Sequence, residues 1–286
     1  FPQTFLWWAN PAVKVNDHYQ SVFPPDVYAV FDHGKRDVSS FPIAKGVYYK
    51  VDYSPGTDIS RYKNIPVPTS YMAIASKYDF IGGYENDTRA GLLHVANHHV
   101  SPGKKQWTWG HGDFGRAWDR NLTDEDGPYI ELMTGVFTDN QPDFSWLQPY
   151  EQKSFVQYFM PYQEVGMVKN ATKEAVIALE TEGKTVDIRL YVTANYEKLQ
   201  VQLREGTKVV FEEIITASPA TPYLRSIVVD SPLSASLEVI ATDLQSGKVL
   251  VSYQQESYDE QEVPLPAQAA KRPQEVENCE QLFLTG

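Results

Sequence analysis

Val186-Asp187-Ile188-Arg189-Leu190-Tyr191-Val192 places an apolar side chain at every second position. That is the period at which a strand turns one face to a core and the other to water. The runs around it share the pattern. Val176-Ile177-Ala178-Leu179 precedes it, and Leu199-Gln200-Val201-Gln202-Leu203, Val209-Val210-Phe211 and Leu224-Arg225-Ser226-Ile227-Val228-Val229 follow. Leu237-Glu238-Val239-Ile240-Ala241 and Val249-Leu250-Val251-Ser252-Tyr253 complete the set. Turn formers separate them at Glu182-Gly183-Lys184, Glu205-Gly206-Thr207, Ser218-Pro219 and Ser246-Gly247-Lys248. Seven short strands at this spacing predict an immunoglobulin-like or fibronectin-like β-sandwich over residues 171–255. Few side chains there could do chemistry, so it reads as a structural spacer.

Upstream the character differs. All six Trp and all six His lie within residues 1–146, in a region rich in Tyr, Pro, Gly, Asn and Asp. That mixture predicts short strands joined by long, decorated loops, where binding residues sit. No amphipathic helix is predicted there. Downstream, Gln254-Gln255-Glu256-Ser257-Tyr258-Asp259-Glu260-Gln261-Glu262 holds too little apolar surface to bury a core and reads as an acidic linker opening a third segment, residues 256–286.

With a net charge of −12, the chain lacks the Lys and Arg clusters that phosphate binding requires, which argues against nucleic acid. No apolar run is long enough for a membrane helix, so no membrane insertion is expected. The one cysteine, Cys279, gives no disulfide framework. Both ends read as cuts from a larger protein. Neither end carries a targeting motif, so the compartment is unassigned, with the periplasm slightly favoured over the cytoplasm.

The densest chemistry lies in residues 94–162. His94, His98 and His99 fall within six residues, but on a strand positions i and i+4 stand about 13 Å apart, too far for one ion; no metal or cofactor is expected. Gly110-His111-Gly112-Asp113-Phe114-Gly115 has the outline of a dinucleotide fingerprint but is read as opening no helix and is set aside. Trp107, Trp109, Trp118 and Trp146 could wall a sugar site, with carboxylates, amides and Arg for the hydroxyls; the alternative is that they are core residues of a large sandwich.

Five segments carry a resemblance. They are Leu6-Trp7-Trp8-Ala9-Asn10-Pro11-Ala12-Val13, Phe31-Asp32-His33-Gly34, Pro102-Gly103-Lys104-Lys105-Gln106-Trp107-Thr108-Trp109-Gly110, Leu122-Thr123-Asp124-Glu125-Asp126-Gly127-Pro128-Tyr129-Ile130-Glu131, and Gly135-Val136-Phe137-Thr138-Asp139-Asn140-Gln141-Pro142-Asp143-Phe144-Ser145-Trp146-Leu147-Gln148-Pro149-Tyr150-Glu151. Together they resemble the bacterial DUF5107 family over nearly all of residues 1–170. That family is similar to the aldose 1-epimerases, which implies an all-β chain: part of a galactose-mutarotase-like supersandwich, whose front half would precede Leu6, then the immunoglobulin-like sandwich. The resemblance further implies that residues 276–286 lead into tetratricopeptide repeats.

By the same resemblance Glu131 stands where the epimerase general base stands, placed to take a proton from an anomeric hydroxyl. The epimerases follow an Asn with a general-acid His; here Asn10 is followed by Pro11, so His33 or His18 would have to replace it. The expected ligand is a sugar or oligosaccharide, held by Trp107, Trp109, Trp118, Asn10, His18 and Asp126 around the catalytic candidates Glu131 and His33. Enzymatic chemistry would be epimerase-like or glycosidase-like, the latter needing a second carboxylate roughly 5–10 Å away, from Asp32, Asp119, Asp124 or Asp126. The alternative is a non-catalytic scaffold presenting helical repeats to a protein partner, with these side chains buried in its core.

Overall fold

The computed structural model describes residues 1–137, 145–229, 237–255, 261–266, 273–276 and 278–279. The chain is almost all β. Two antiparallel sheets face each other in its first half. One runs in the order Trp7–Ala9, Tyr129–Val136, Gly103–Thr108, Thr69–Ala73, Ala29–Phe31, Val38–Ser40, with Ala12–Lys14 also pairing with Tyr129–Val136. The other runs Gln157–Gln163, Ala90–Ala96, Phe80–Glu85, Tyr19–Val22.

Alternation along each strand decides what lies between these sheets. Ile130 and Leu132 point inward to Val15, Tyr19 and Tyr62, and Thr134 Oγ1 reaches His94 Nε2 of the facing sheet at 3.1 Å. Gln157 donates to the same hydroxyl at 2.6 Å. Tyr129, Glu131 and Met133 therefore point to the opposite face. Glycines Gly83 and Gly91 lie where rings press on the backbone: a Cβ would run into Tyr19 at the first and Tyr162 at the second. Tyr48, Tyr53, Ile59, Ile65 and Tyr71 form a cluster of their own with Val30 and Ile81.

The seven alternating runs of the second half are strands, within Ala175–Glu182, Thr185–Val192, Tyr196–Glu205, Lys208–Ala217, Tyr223–Val228, Leu237–Asp243 and Lys248–Gln254. Asn170–Ala171 joins them in two sheets, ordered Asn170–Ala171, Ala175–Glu182, Thr185–Val192, Tyr223–Val228 and Lys208–Ala217, Tyr196–Glu205, Leu237–Asp243, Lys248–Gln254. In Thr185–Val192 buried and half-buried residues alternate without exception. Burying each Val, Ile or Leu stabilises by roughly 1.5–3 kcal/mol. This core, including Ile188, Leu190, Val201 and Val239, runs on into Phe80, Leu93 and Met160 of the first half.

One expectation fails. Asp113–Thr123 is an α-helix, where none was predicted. Its apolar residues Phe114, Trp118 and Leu122 do recur at i, i+4 and i+8, but they are exposed. The buried side is Gly115 and Asp119, so the pattern does not read as a core-facing stripe. The helix is fixed by close approach: a Cβ at Gly115 would run into the carbonyls of Trp109 and Gly110.

The lead-in to helical repeats expected at residues 276–286 lies almost wholly outside the described residues, as does the stretch 138–144 within the fifth resembling segment.

Candidate functional site

The outward residues of the first sheet form two rows across its strands. In one, Glu131 pairs with Trp107, Trp107 with Ser70, and the Ser70 hydroxyl accepts the His33 N–H at 3.0 Å. In the other, Met133 pairs with Lys105, Lys105 with Met72 and Met72 with Phe31; Trp8 pairs with Gly135, two residues beyond Met133 on the same strand. Opposed side chains in such pairs have Cβ atoms about 5 Å apart.

Asn10, in the bend between Trp7–Ala9 and Ala12–Lys14, donates its amide to Glu131 Oε2 at 2.9 Å. Lys105 is only 4% exposed. Its ammonium is 3.2 Å from His33 Nδ1 and 5.9 Å from the Trp8 ring centre, within cation–π range. Burial lowers its pKa and the charge of Glu131 opposes that. Burial, then Lys105, also lowers the pKa of His33, with Asp32 opposing. Glu131 is half-buried and His33 exposed, so this carboxylate and imidazole face open space while the lysine lies at the base between them.

An aromatic cluster adjoins Glu131. The Trp107 and Trp109 rings meet edge-on at 4.7 Å, and Trp109 stacks on Trp118 at 5.1 Å and 10°. Phe114 packs on both, and the Trp109 indole N–H donates to the Tyr129 hydroxyl at 3.1 Å. Trp107 and Trp109 are half-buried and Trp118 is 40% exposed. On the other flank, beside His33, a cavity of about 500 Å³ is lined by Tyr28, Phe31, Lys35, Met72 and the returning chain at Gln261 and Pro264.

The structure thus brings together Glu131, Asn10, His33, Trp107, Trp109 and Trp118. His18 is not among them. The chain past Lys14 crosses to the other sheet, and His18 sits on the turn before Tyr19–Val22, its carbonyl held by Asn86 and its backbone N–H by Asn16. Asp126 is an exposed turn residue after the helix, its N–H bound to the Thr123 carbonyl at 2.9 Å; Asp124 begins that turn. Asp32 is buried with Oδ1 accepting the Asp37 N–H, so it builds the turn that carries His33. Asp119 is buried against the inner side of its helix, with neither oxygen hydrogen-bonded among the described residues, and desolvation raises its pKa. Trp146 lies on Ser145–Leu147, paired with Gln3–Phe5.

Of the three neighbouring histidines, His94 is fully buried, while His98 Nδ1 meets Asp79 at 2.7 Å and the His98 and His99 rings lie against each other. Among the described residues no three His, Cys, Asp or Glu side chains converge. The Gly110–Gly115 segment does open a helix, yet its glycines answer to packing on Pro66, Val67 and Trp109, and Asp113 occupies the first turn. The residues missed in the sequence are Trp8 and Lys105, the latter one of two adjacent lysines with no local mark of function.

The family model described as a domain of unknown function, DUF5107, matches residues 1–164. That described as YphG-like protein, second domain, matches residues 170–253. Among solved structures, the chain is similar to a TPR-domain containing protein from Parabacteroides distasonis, with 24% identity and a TM-score of 0.45, over 56% of this chain and 25% of that one. The chain therefore spans about a quarter of that protein's length.

Proposed function

This chain belongs to the DUF5107 family, and we propose that the outward face centred on Glu131 is a mutarotase-like carbohydrate site. One observation carries the reading: a half-buried carboxylate, an amide, a lysine and a histidine share one face with Trp8, Trp107, Trp109 and Trp118, outside the hydrophobic core. Sugars present polar hydroxyls around apolar C–H faces, and sites for them combine apolar walls with a few fixed polar groups. Glu131 accepts a hydroxyl hydrogen bond and, in an epimerase-like or glycosidase-like reaction, takes its proton. A scaffold would have no need to leave this carboxylate and Trp118 open to solvent.

Calorimetric titration of the chain with a panel of monosaccharides and oligosaccharides tests the reading. Binding of at least one sugar, lost or weakened at least tenfold in Trp107→Ala, is expected. Binding retained in Glu131→Gln with loss of any turnover would make Glu131 the catalytic base. No binding by any sugar, with no change in melting temperature on adding them, would overturn the carbohydrate reading.

A further inference from the structure

We propose that Lys105 is a positioning residue that holds His33 as the neutral tautomer with its Nε2–H turned to the open side of the site. The inference deepens the carbohydrate reading and rests on it for its consequence, though not for its test. An ammonium has three donors and no acceptor. At 3.2 Å from Nδ1, it requires a lone pair on that nitrogen, so the ring proton sits on Nε2. A proton on Nδ1, in the other neutral tautomer or in the imidazolium, would set two donors against each other. Against the lowering by burial, the charge of Glu131 favours the ammonium form of Lys105, and the side chain, being buried, does not turn to water.

The other charged groups facing His33 are on its own turn. Asp32 is committed to the Asp37 N–H at 2.7 Å, and Arg36 Nη2 donates to the His33 carbonyl at 3.5 Å. Neither supplies an acceptor to Nδ1. His33 is then a fixed hydrogen-bond donor, not the general acid, and among the ionisable groups of the face Glu131 accepts while His33 and Lys105 donate. At about 4.8 Å per strand, the row from Glu131 through Trp107 and Ser70 puts the two ends about 14 Å apart at the backbone. The side chains narrow that gap from both sides. The complementary ligand is a polyol offering a hydroxyl donor at one end and a ring or hydroxyl oxygen acceptor at the other.

Nitrogen-15 NMR of the histidine rings in the whole chain tests this, with His33 assigned by its absence in His33→Gln. At pH 7.5 the expected spectrum shows an unprotonated Nδ1 and a protonated Nε2, and a titration midpoint below the ordinary 6.5. In Lys105→Met the midpoint should rise by about 0.7 unit, the effect of a unit charge about 4 Å away in water-like dielectric, and Lys105→Arg should reverse most of the rise. A proton on Nδ1 in the wild type, or an unmoved midpoint in Lys105→Met, would overturn the proposal. If Lys105→Met does not fold, the wild-type tautomer and the Lys105→Arg midpoint decide. The free protein gives all these readings, so a failure of sugar binding falls on the carbohydrate reading alone.

Discussion

Lys104 should destabilise the protein that contains it. It is 1% exposed between the two sheets, and its ammonium has no hydrogen-bond partner among the described residues. Burial pulls its pKa from 10.5 to about 8, against the partial pull of Asp26 and Asp79. Those carboxylates have their own donors: Asp26 takes Ser76 and the Lys77 N–H, and Asp79 takes His98. The folded state releases this proton more readily than the unfolded chain, so between pH 8 and 10.5 the unfolded chain binds more protons and stability rises with pH. Below pH 8 the full penalty applies. At about 1.4 kcal/mol per pH unit, it amounts to about 3 kcal/mol. Lys104→Met keeps the length and removes the charge, so at pH 7 it should stabilise by about 2–3 kcal/mol, or about 5–10 °C in melting temperature for a unit of this size. All six Trp lie within residues 1–146, so denaturant unfolding followed by Trp fluorescence reads this half of the chain. The variant should also lose the rise in stability between pH 8 and 10. A Lys104→Met protein no more stable than the wild type at pH 7 would refute the reasoning and mean that the ammonium is well solvated or paired.

Three further outcomes follow from the same core and cluster. His94 is fully buried and its pKa falls to about 4; the unfolded chain therefore binds more protons between pH 6.5 and 4, and acidification across that window should cost about 3 kcal/mol, absent in His94→Gln and read from urea midpoints. Trp109→Ala removes contacts to Trp107, Trp118 and Phe114 and strands the Tyr129 hydroxyl; a loss of about 2–4 kcal/mol and of near-ultraviolet circular dichroism is expected. Gly110→Ala must hold φ at +86° with its Cβ 2.6 Å from the Val67 carbonyl oxygen; it should cost at least about 2 kcal/mol and loosen the Trp109–Trp118 stack, detectable as a shifted fluorescence maximum.

The second sandwich was legible because each strand is half-buried and long enough to show its period, as the unbroken alternation of Thr185–Val192 shows, and because its hairpins turn on Gly183, Gly206 and Gly247, all at positive φ. In the first half, strands of two to four residues such as Trp7–Ala9 and Val47–Tyr48 are too short to carry a period. The helix escaped notice because its buried contacts are a glycine and an aspartate. Glu131, Asn10 and the three tryptophans could be marked as candidates from their types and the family resemblance. Their convergence could not, since Asn10 reaches Glu131 across 121 residues of chain and strand pairing has no local signal. His18 went astray for the same reason: closeness in sequence to Asn10 says nothing about which sheet the chain enters next.

The most informative pair in the chain is Lys104-Lys105. Identical and adjacent, they are sent to opposite faces by the pleat of Gly103–Thr108. Lys104 enters the core with Gln106, which accepts a hydrogen bond from the Ser21 hydroxyl, and with the buried Thr108. Lys105 emerges with Trp107 beside Met133 and Glu131. A slip of one residue would exchange the two faces, driving Trp107 between the sheets and carrying Gln106 outward, away from Ser21. The placing of Lys105 and Trp107 beside Glu131 therefore depends on the register of this strand against Tyr129–Val136 and Thr69–Ala73. Removing the inner charge by Lys104→Met should strengthen the fold and leave the outer row in place, whereas changing Lys105 should alter His33 with little effect on the core.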